Sequence, residues 1–115
     1  MPVGYDRLHR PRDIAAVLRG RRQRAGRYAV VHVRSRPEGG TPRLTAVASR
    51  RVGSAVSRNR AKRVLREAGR ATPWVAGTDV VLVARGACAE AGAREVNAEI
   101  CRLAADLGVL HQEAA

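Results

Sequence analysis

Residues 79–85 read DVVLVAR, five apolar residues in a row with a charge at each end. The run is short, rich in valine, and apolar on both sets of alternating positions. It is therefore expected as a central strand covered on both faces. A strand of that kind dictates its surroundings, because both faces need helices or further chain packed over them. The chain is thus read as an α+β layer structure. With 115 residues there is room for one such core and too little length for a second, so residues 1–115 are taken as a single domain.

The remaining elements follow from pattern. Pro11 suits a first helical turn, and Ile14, Val17 and Leu18 follow at helical spacing, predicting a helix over 11–19 that stops near Gly20. A basic stretch (19–27) comes next. Residues 28–34 (YAVVHVR) read as a strand, and Pro37, Gly39, Gly40 and Pro42 as a loop. Residues 43–49 read as a second strand, expected to pair with the first as a hairpin across that long, exposed connection. Ser54 is placed to cap a helix running to about Ala68, which Gly69 and Pro73 would end. A last amphipathic helix (95–107) aligns Val96, Ile100, Leu103 and Leu107, with Gly108 as its stop. The expected order is α-β-β-α-β-α.

Charge narrows the function. The chain carries 22 Lys+Arg against 10 Asp+Glu, a formal net charge of +12, and Lys62 is its one lysine. Residues 1–70 hold 19 of the cations and 4 of the anions, a net of +15, whereas residues 71–115 hold 3 and 6, a net of −3. Solubility does not require so large a charge on seventy residues, and the asymmetry points to a polyanionic partner on one side of the molecule. Arginine suits that partner, since its planar donor fork matches phosphate oxygens. No apolar run approaches the ~20 residues of a membrane span, so no membrane partner is expected. Asp6, Arg7 and Arg10 break up the opening residues before any signal-like stretch develops. Cys88 and Cys101 have no partnered spacing for a disulfide framework or a zinc site, and a reduced, cytoplasmic setting is expected.

The segment 54–70 (SAVSRNRAKRVLREAGR) carries the functional reading. At ~100° per residue, Ala61, Val64, Leu65 and Ala68 fall on one face, with Ser57 beside them. Asn59, Lys62, Arg63, Arg66 and Arg70 gather on the opposite face, flanked by Arg58 and Arg60; Arg70 is the weakest member if Gly69 ends the helix. A merely solvated basic face would be laced with i, i+4 ion pairs, yet Glu67 is the one acid in the segment. Like charges at that spacing, such as Arg58 with Lys62, repel by a few tenths of a kcal/mol each. The small apolar strip suits close packing on a sheet, which leaves the cations and one amide that can hydrogen-bond a base edge or a backbone oxygen of nucleic acid.

The sequence 49–68, SRRVGSAVSRNRAKRVLREA, resembles the signature of the bacterial ribonuclease P protein subunit: a basic pair, Val-Gly, Ala-Val, then Arg-Asn-Arg-x-Lys-Arg followed by Arg-Glu. The resemblance extends to the Arg7-Leu8 opening, the strand pair, the 79–85 strand and the closing helix. It implies a cytoplasmic subunit that binds a large catalytic RNA and the 5′ leader of precursor tRNA. In that family the endonucleolytic cut that makes the mature tRNA 5′ end belongs to the RNA with Mg²⁺, which the RNA mainly holds. The resemblance also implies a left-handed β-α-β crossover, where general handedness rules favour the right-handed one. Carried onto this chain, the RNA-binding residues are Arg50, Arg51, Arg58, Asn59, Arg60, Lys62, Arg63 and Arg66. The leader would lie between the first helix and the sheet, using Ile14, Leu18, His32 and the Ser49 end of the second strand, with no obligate protein partner evident.

The chain departs from that family where aromatic side chains commonly offer stacking platforms. It has no Phe, and Ile14, Leu18 and His32 occupy those places, so leader contacts are expected to lean on apolar packing and arginine. Ala61 and Gly69 stand where larger residues are common, implying a more closely packed or less stable helix.

No protein-borne active site is expected. His9, His32 and His111 are far apart and lack a paired acid or nucleophile at helical or strand spacing. Asp6, Asp13 and Glu67 are too scattered for a metal, and the acids of 90–113 read as the outer face of the last helix. Trp74 is read as a packing residue over the sheet edge, Cys101 as partly buried and Cys88 as a more exposed loop thiol. Two other functions share the composition: a ribosomal-type RNA-binding protein, and a helix-turn-helix DNA reader, which needs a helix just before the basic one.

Overall fold

The computed structural model describes residues 4–111. Chain order is β1 (Asp6–Arg7), α1 (Pro11–Arg19), β2 (Gln23–Ala25), β3 (Ala29–Ser35), β4 (Arg43–Val47), α2 (Ala55–Arg70), β5 (Thr78–Ala84) and α3 (Ala93–Asp106), with 3-10 turns at Arg50–Val52 and Gly86–Glu90. The strands form one mixed sheet in the order β1-β4-β5-β3-β2. The apolar run lies where its composition requires: β5 is the middle strand, antiparallel to β3 and parallel to β4. All of its residues are buried except the half-buried Val83.

Alternation along the strands divides the sheet into two faces. Ala29, Val31 and Val33 of β3, Leu44 and Ala46 of β4, and Val80 and Leu82 of β5 pack against α2 and α3 in one cluster. The opposite face carries a smaller cluster in which Leu8, Val17 of α1 and Val81 are sealed, with Ile14, Val47 and Val83 around them. Helices therefore cover both sides, giving the α+β architecture expected. The α1 bounds agree with the sequence reading, and Ser54 caps α2 by accepting a hydrogen bond from the Ser57 amide at 3.2 Å.

The expected hairpin does not form. β5 lies between β3 and β4, and the 36–42 connection passes across the start of β5 instead of turning between neighbours. The Arg36 amide donates to the Gly77 carbonyl (2.8 Å) and the Gly77 amide to Gly40 (2.5 Å). A Cβ on Gly77 would stand 2.9 Å from the Gly39 Cα, so glycine at this crossing is a matter of backbone clearance. The apolar strand gains most from a place with both edges paired and both faces covered, which displaces the local pairing.

Gly69 does not end α2. The helix runs through it to Arg70 because its last carbonyls find partners: Thr72 Oγ1 and Asn97 Nδ2 donate to Ala68, and Trp74 Nε1 donates to Gly69. Trp74 is buried, as a packing residue should be, against this last turn. Cys88 corrects another expectation. It is fully buried beneath α2, where burial first, and then the Glu99 charge, push its thiol up to about 11; Cys101 is half-buried. Glu99 is not an outer-face acid. It is buried, and its carboxylate accepts backbone amides from Arg27, Tyr28 and Ala29 at 2.5–3.1 Å. That cradle fixes the turn between β2 and β3.

Asp79 joins three elements. Its fully buried carboxylate takes two hydrogen bonds from Arg43 (2.7 and 2.6 Å) and one from Arg36 (2.5 Å), while Arg43 also reaches Asp13 of α1 at 3.5 Å. Burial alone would raise this carboxyl. The hydrogen bonds and charges of Arg43 and Arg36 outweigh it and hold the group below the ordinary range.

Asp79→Asn should cost about 3–5 kcal/mol in urea unfolding at neutral pH, because it leaves two arginines short of their counter-charge. The carboxyl is depressed in the folded state, so its contribution is complete above its ordinary value near 4 and is lost as pH falls through the lower folded value. The stability gap between wild type and Asp79→Asn should therefore narrow below about pH 4. Gly69→Ala would place a Cβ 2.7 Å from Leu44 Cδ2 and 3.0 Å from Leu82 Cδ1. It should destabilise by about 1–3 kcal/mol even though alanine is the better helix former. A Gly69→Ala protein as stable as wild type would refute the close contact.

Candidate nucleic-acid interface

The interface is built on α2. Ala61, Val64, Leu65, Ala68 and Gly69 are buried against the sheet and α3, and the small members of that strip let the helix lie close. Asn59, Arg60, Arg63, Arg66 and Arg70 are exposed on the other side, with Arg58 and Lys62 half-buried on the flanks. This is the two-faced helix that the wheel predicts. Two of its arginines are steadied by backbone: Arg58 donates to Gly53 (2.9 Å) and Arg60 to Ala91 (3.4 Å). Among the described residues, ion pairs form at Arg36, Arg43 and Arg102, and none involves a basic side chain of α2. Glu67 leaves the array uncompensated.

Arg50 and Arg51 are exposed in the 3-10 turn that leads into α2, and Ser49 orders that turn by accepting the Arg51 amide at 3.3 Å. Ser49 and Arg51 also line a depression of about 330 Å³ with Val83 and Arg85. Arg85 is a cation that the sequence reading passed over as a strand end; its place beside the 49–51 turn follows from β4 and β5 running parallel.

The other predicted surface lies on the far side of the sheet. Ile14 packs beside Val83 and Val47, and His32 pairs in register with Val81, so the structure puts both on the α1 face. Leu18 sits on the same helix with 40% of its surface exposed. His32 is half-buried, and its Nδ1 is the one buried side-chain polar atom without a partner among the described residues. Burial lowers its pKa, which favours the neutral ring. The two predicted sets thus occupy opposite faces of one sheet, with the 49–51 turn at the end of β4, next to the depression that reaches Val83.

His9 and His111 are exposed. Among the described residues, no three His, Cys, Asp or Glu side chains converge on a metal position. The helix before α2 is α1, on the other face of the sheet and separated from it by three strands, so the described residues contain no helix-turn-helix.

Known proteins share this sequence pattern and fold. The family model for ribonuclease P matches residues 4–108. The ribonuclease P protein component of Acidothermus cellulolyticus is 42% identical over 106 residues, covering 90% of this chain and 88% of that one. The ribonuclease P protein of Thermotoga maritima superposes with a TM-score of 0.68 at 27% identity, covering 84% of this chain and 93% of that one. A ribonuclease P protein structure from Staphylococcus aureus shares the fold at a TM-score of 0.77 and 23% identity, covering 90% and 89% of the two chains. Matched along nearly its whole described length in both sequence and fold, the chain belongs to the ribonuclease P protein family, as a protein subunit of that ribonucleoprotein enzyme.

Proposed function

We propose that this subunit binds the ribonuclease P RNA through α2 and the 49–51 turn, and the 5′ leader of precursor tRNA through the α1 face of the sheet. The observation that carries the reading is the uncompensated basic array of α2, displayed on a strip of small residues that has no other evident purpose. Arg58, Arg60, Lys62, Arg63 and Arg66 supply phosphate contacts, and Asn59 supplies an amide for a base edge or backbone oxygen. Arg50 and Arg51 extend the positive surface toward the leader.

On the other face, Ile14, Leu18 and His32 offer the leader an apolar wall with one imidazole, and Ser49 marks the end where the strand meets the basic turn. Without phenylalanine, this wall holds nucleotides by packing and charge more than by stacking.

The endonucleolytic hydrolysis that matures the tRNA 5′ end is assigned to the RNA, with Mg²⁺ held there. Among the described residues, the carboxylates do not fit a Mg²⁺ site. The two buried ones, Asp79 and Glu99, are saturated by arginine and by backbone amides, and the exposed ones do not converge. The protein's contribution is to neutralise phosphate charge and to position the substrate strand, acting in the cytoplasm.

Reconstitution tests the assignment. The protein should stimulate leader removal by the catalytic RNA at low Mg²⁺, and the Arg58, Asn59 and Arg60 to Ala triple variant should fail to do so. Single changes at Arg63 or Arg66 should each lower the slope of log binding constant against log salt by about 1. Leu18→Ala, on an exposed side chain, should leave assembly intact and reduce the preference for precursor over mature tRNA. If the α2 and α1-face variants produced the same defect, the division into two surfaces would be wrong.

A further inference from the structure

A groove of about 500 Å³ opens between the C-terminal half of α2 and the β1–β4 edge of the sheet, with Tyr5, Arg7, Lys62, Arg66 and Arg70 around it and Leu44 in its wall. Arg7 is brought there by register. It stands opposite Leu44 in the parallel β1–β4 pair, and Leu44 packs into the α2 side of the core. Four cations thus face one cavity that no carboxylate lines, and among the described residues none of the four forms an ion pair. Lys62 with Arg66, and Arg66 with Arg70, stand at i, i+4, where like charges repel. Folding alone does not favour such a cluster, and a bound anion relieves it.

The aromatic makes the groove more than a phosphate site. Tyr5 is half-buried, Arg70 Nε donates to its phenol oxygen, and the Arg70 guanidinium lies 5.7 Å from the ring centroid. Arg70 therefore fixes the ring among the other cations. A flat ring, an aliphatic wall and several phosphate ligands match the two halves of a nucleotide. Duplex RNA offers phosphates but keeps its bases stacked, so an aromatic in the groove serves an unstacked nucleotide. The volume falls in the range of small-ligand sites, roughly 300–1,000 Å³.

We infer that this groove holds a single unstacked ribonucleotide, its phosphate among Arg7, Lys62 and Arg66 and its base against Tyr5. The inference rests on α2 being the RNA-binding face, and adds to it a site that Tyr5 and Arg7, outside the basic motif, complete.

Tyr5 and Arg7 separate the two ideas. Equilibrium binding of full-length Tyr5→Leu, Tyr5→Phe, Arg7→Ala and Arg63→Ala proteins to ribonuclease P RNA, with and without precursor tRNA, is measured across a salt series. Tyr5→Leu should weaken binding at least about fivefold, and Tyr5→Phe, which keeps the ring but loses the Arg70 hydrogen bond, should recover most of that loss. Arg7→Ala should lower the salt slope by about 1. Arg7 is exposed, so its variant keeps the test sound if Tyr5→Leu disturbs folding, which thermal melts of the free proteins would reveal. A loss with the RNA alone places the nucleotide in ribonuclease P RNA. A loss only in the ternary complex places it in the precursor. Both outcomes uphold the groove. Unchanged affinity and slope for Arg7→Ala and Tyr5→Leu, beside a weakened Arg63→Ala, overturn the groove alone. If Arg63→Ala is silent as well, the α2 assignment falls with it.

Discussion

The paired arginines on Asp79 decide how this chain can fold. Three strands must be collected in an order the sequence does not follow, with β5, the last to be made, inserted between β3 and β4. Arg36 leaves the end of β3 and Arg43 opens β4, and both converge on the one carboxylate at the start of β5. Away from water each charge would be costly alone. Together they satisfy one another, and Arg36 also donates to the Gly39 and Thr41 carbonyls, which stitches the crossing loop in place. The same carboxylate, through Arg43 and Asp13, reaches α1 on the opposite face. Register, strand order and the seat of α1 are therefore coupled in a single cluster of charges.

With the sheet fixed, the basic helix has a flat surface to lie on. Ala61, Ala68 and Gly69 are what bring it close, and the Gly69 contacts with Leu44 and Leu82 mark the tightest approach. A helix pressed down by small residues spends little of its circumference on burial, which leaves a wide arc for charge. Carboxylates that would neutralise that arc are placed elsewhere: Asp79 and Glu99 inside, Glu95 against Tyr28 on α3. The protein tolerates electrostatic repulsion on one face that a polyanionic partner can relieve.

Much of this was legible because it rests on local rules. Pro11 at the start of α1, Ser54 at the cap of α2, the spacing of Val96, Ile100 and Leu103, and the doubly apolar β5 each announce themselves within a few residues. The misses share a different character. β2 is Gln-Arg-Ala, exposed throughout and a strand only because β3 is beside it; β1 is two residues long and is held by β4. Glu99 has the composition of a surface acid until the β2–β3 turn presents three amides to it. Cys88 looks like a loop thiol until α2 covers it.

By itself, the sequence determined which segments are helical, which strand is central, and which helix face carries the cations, since periodicity, capping and side-chain volume are properties of neighbours along the chain. Only the tertiary structure decided that β3 and β4 are not partners, that α2 continues through Gly69 to Arg70, and that Arg7 and Tyr5 share a groove with α2. Those outcomes depend on what distant residues supply: an apolar strand that gains by occupying the centre, side chains of Thr72, Trp74 and Asn97 that satisfy the last carbonyls, and a parallel register that turns Arg7 toward the helix.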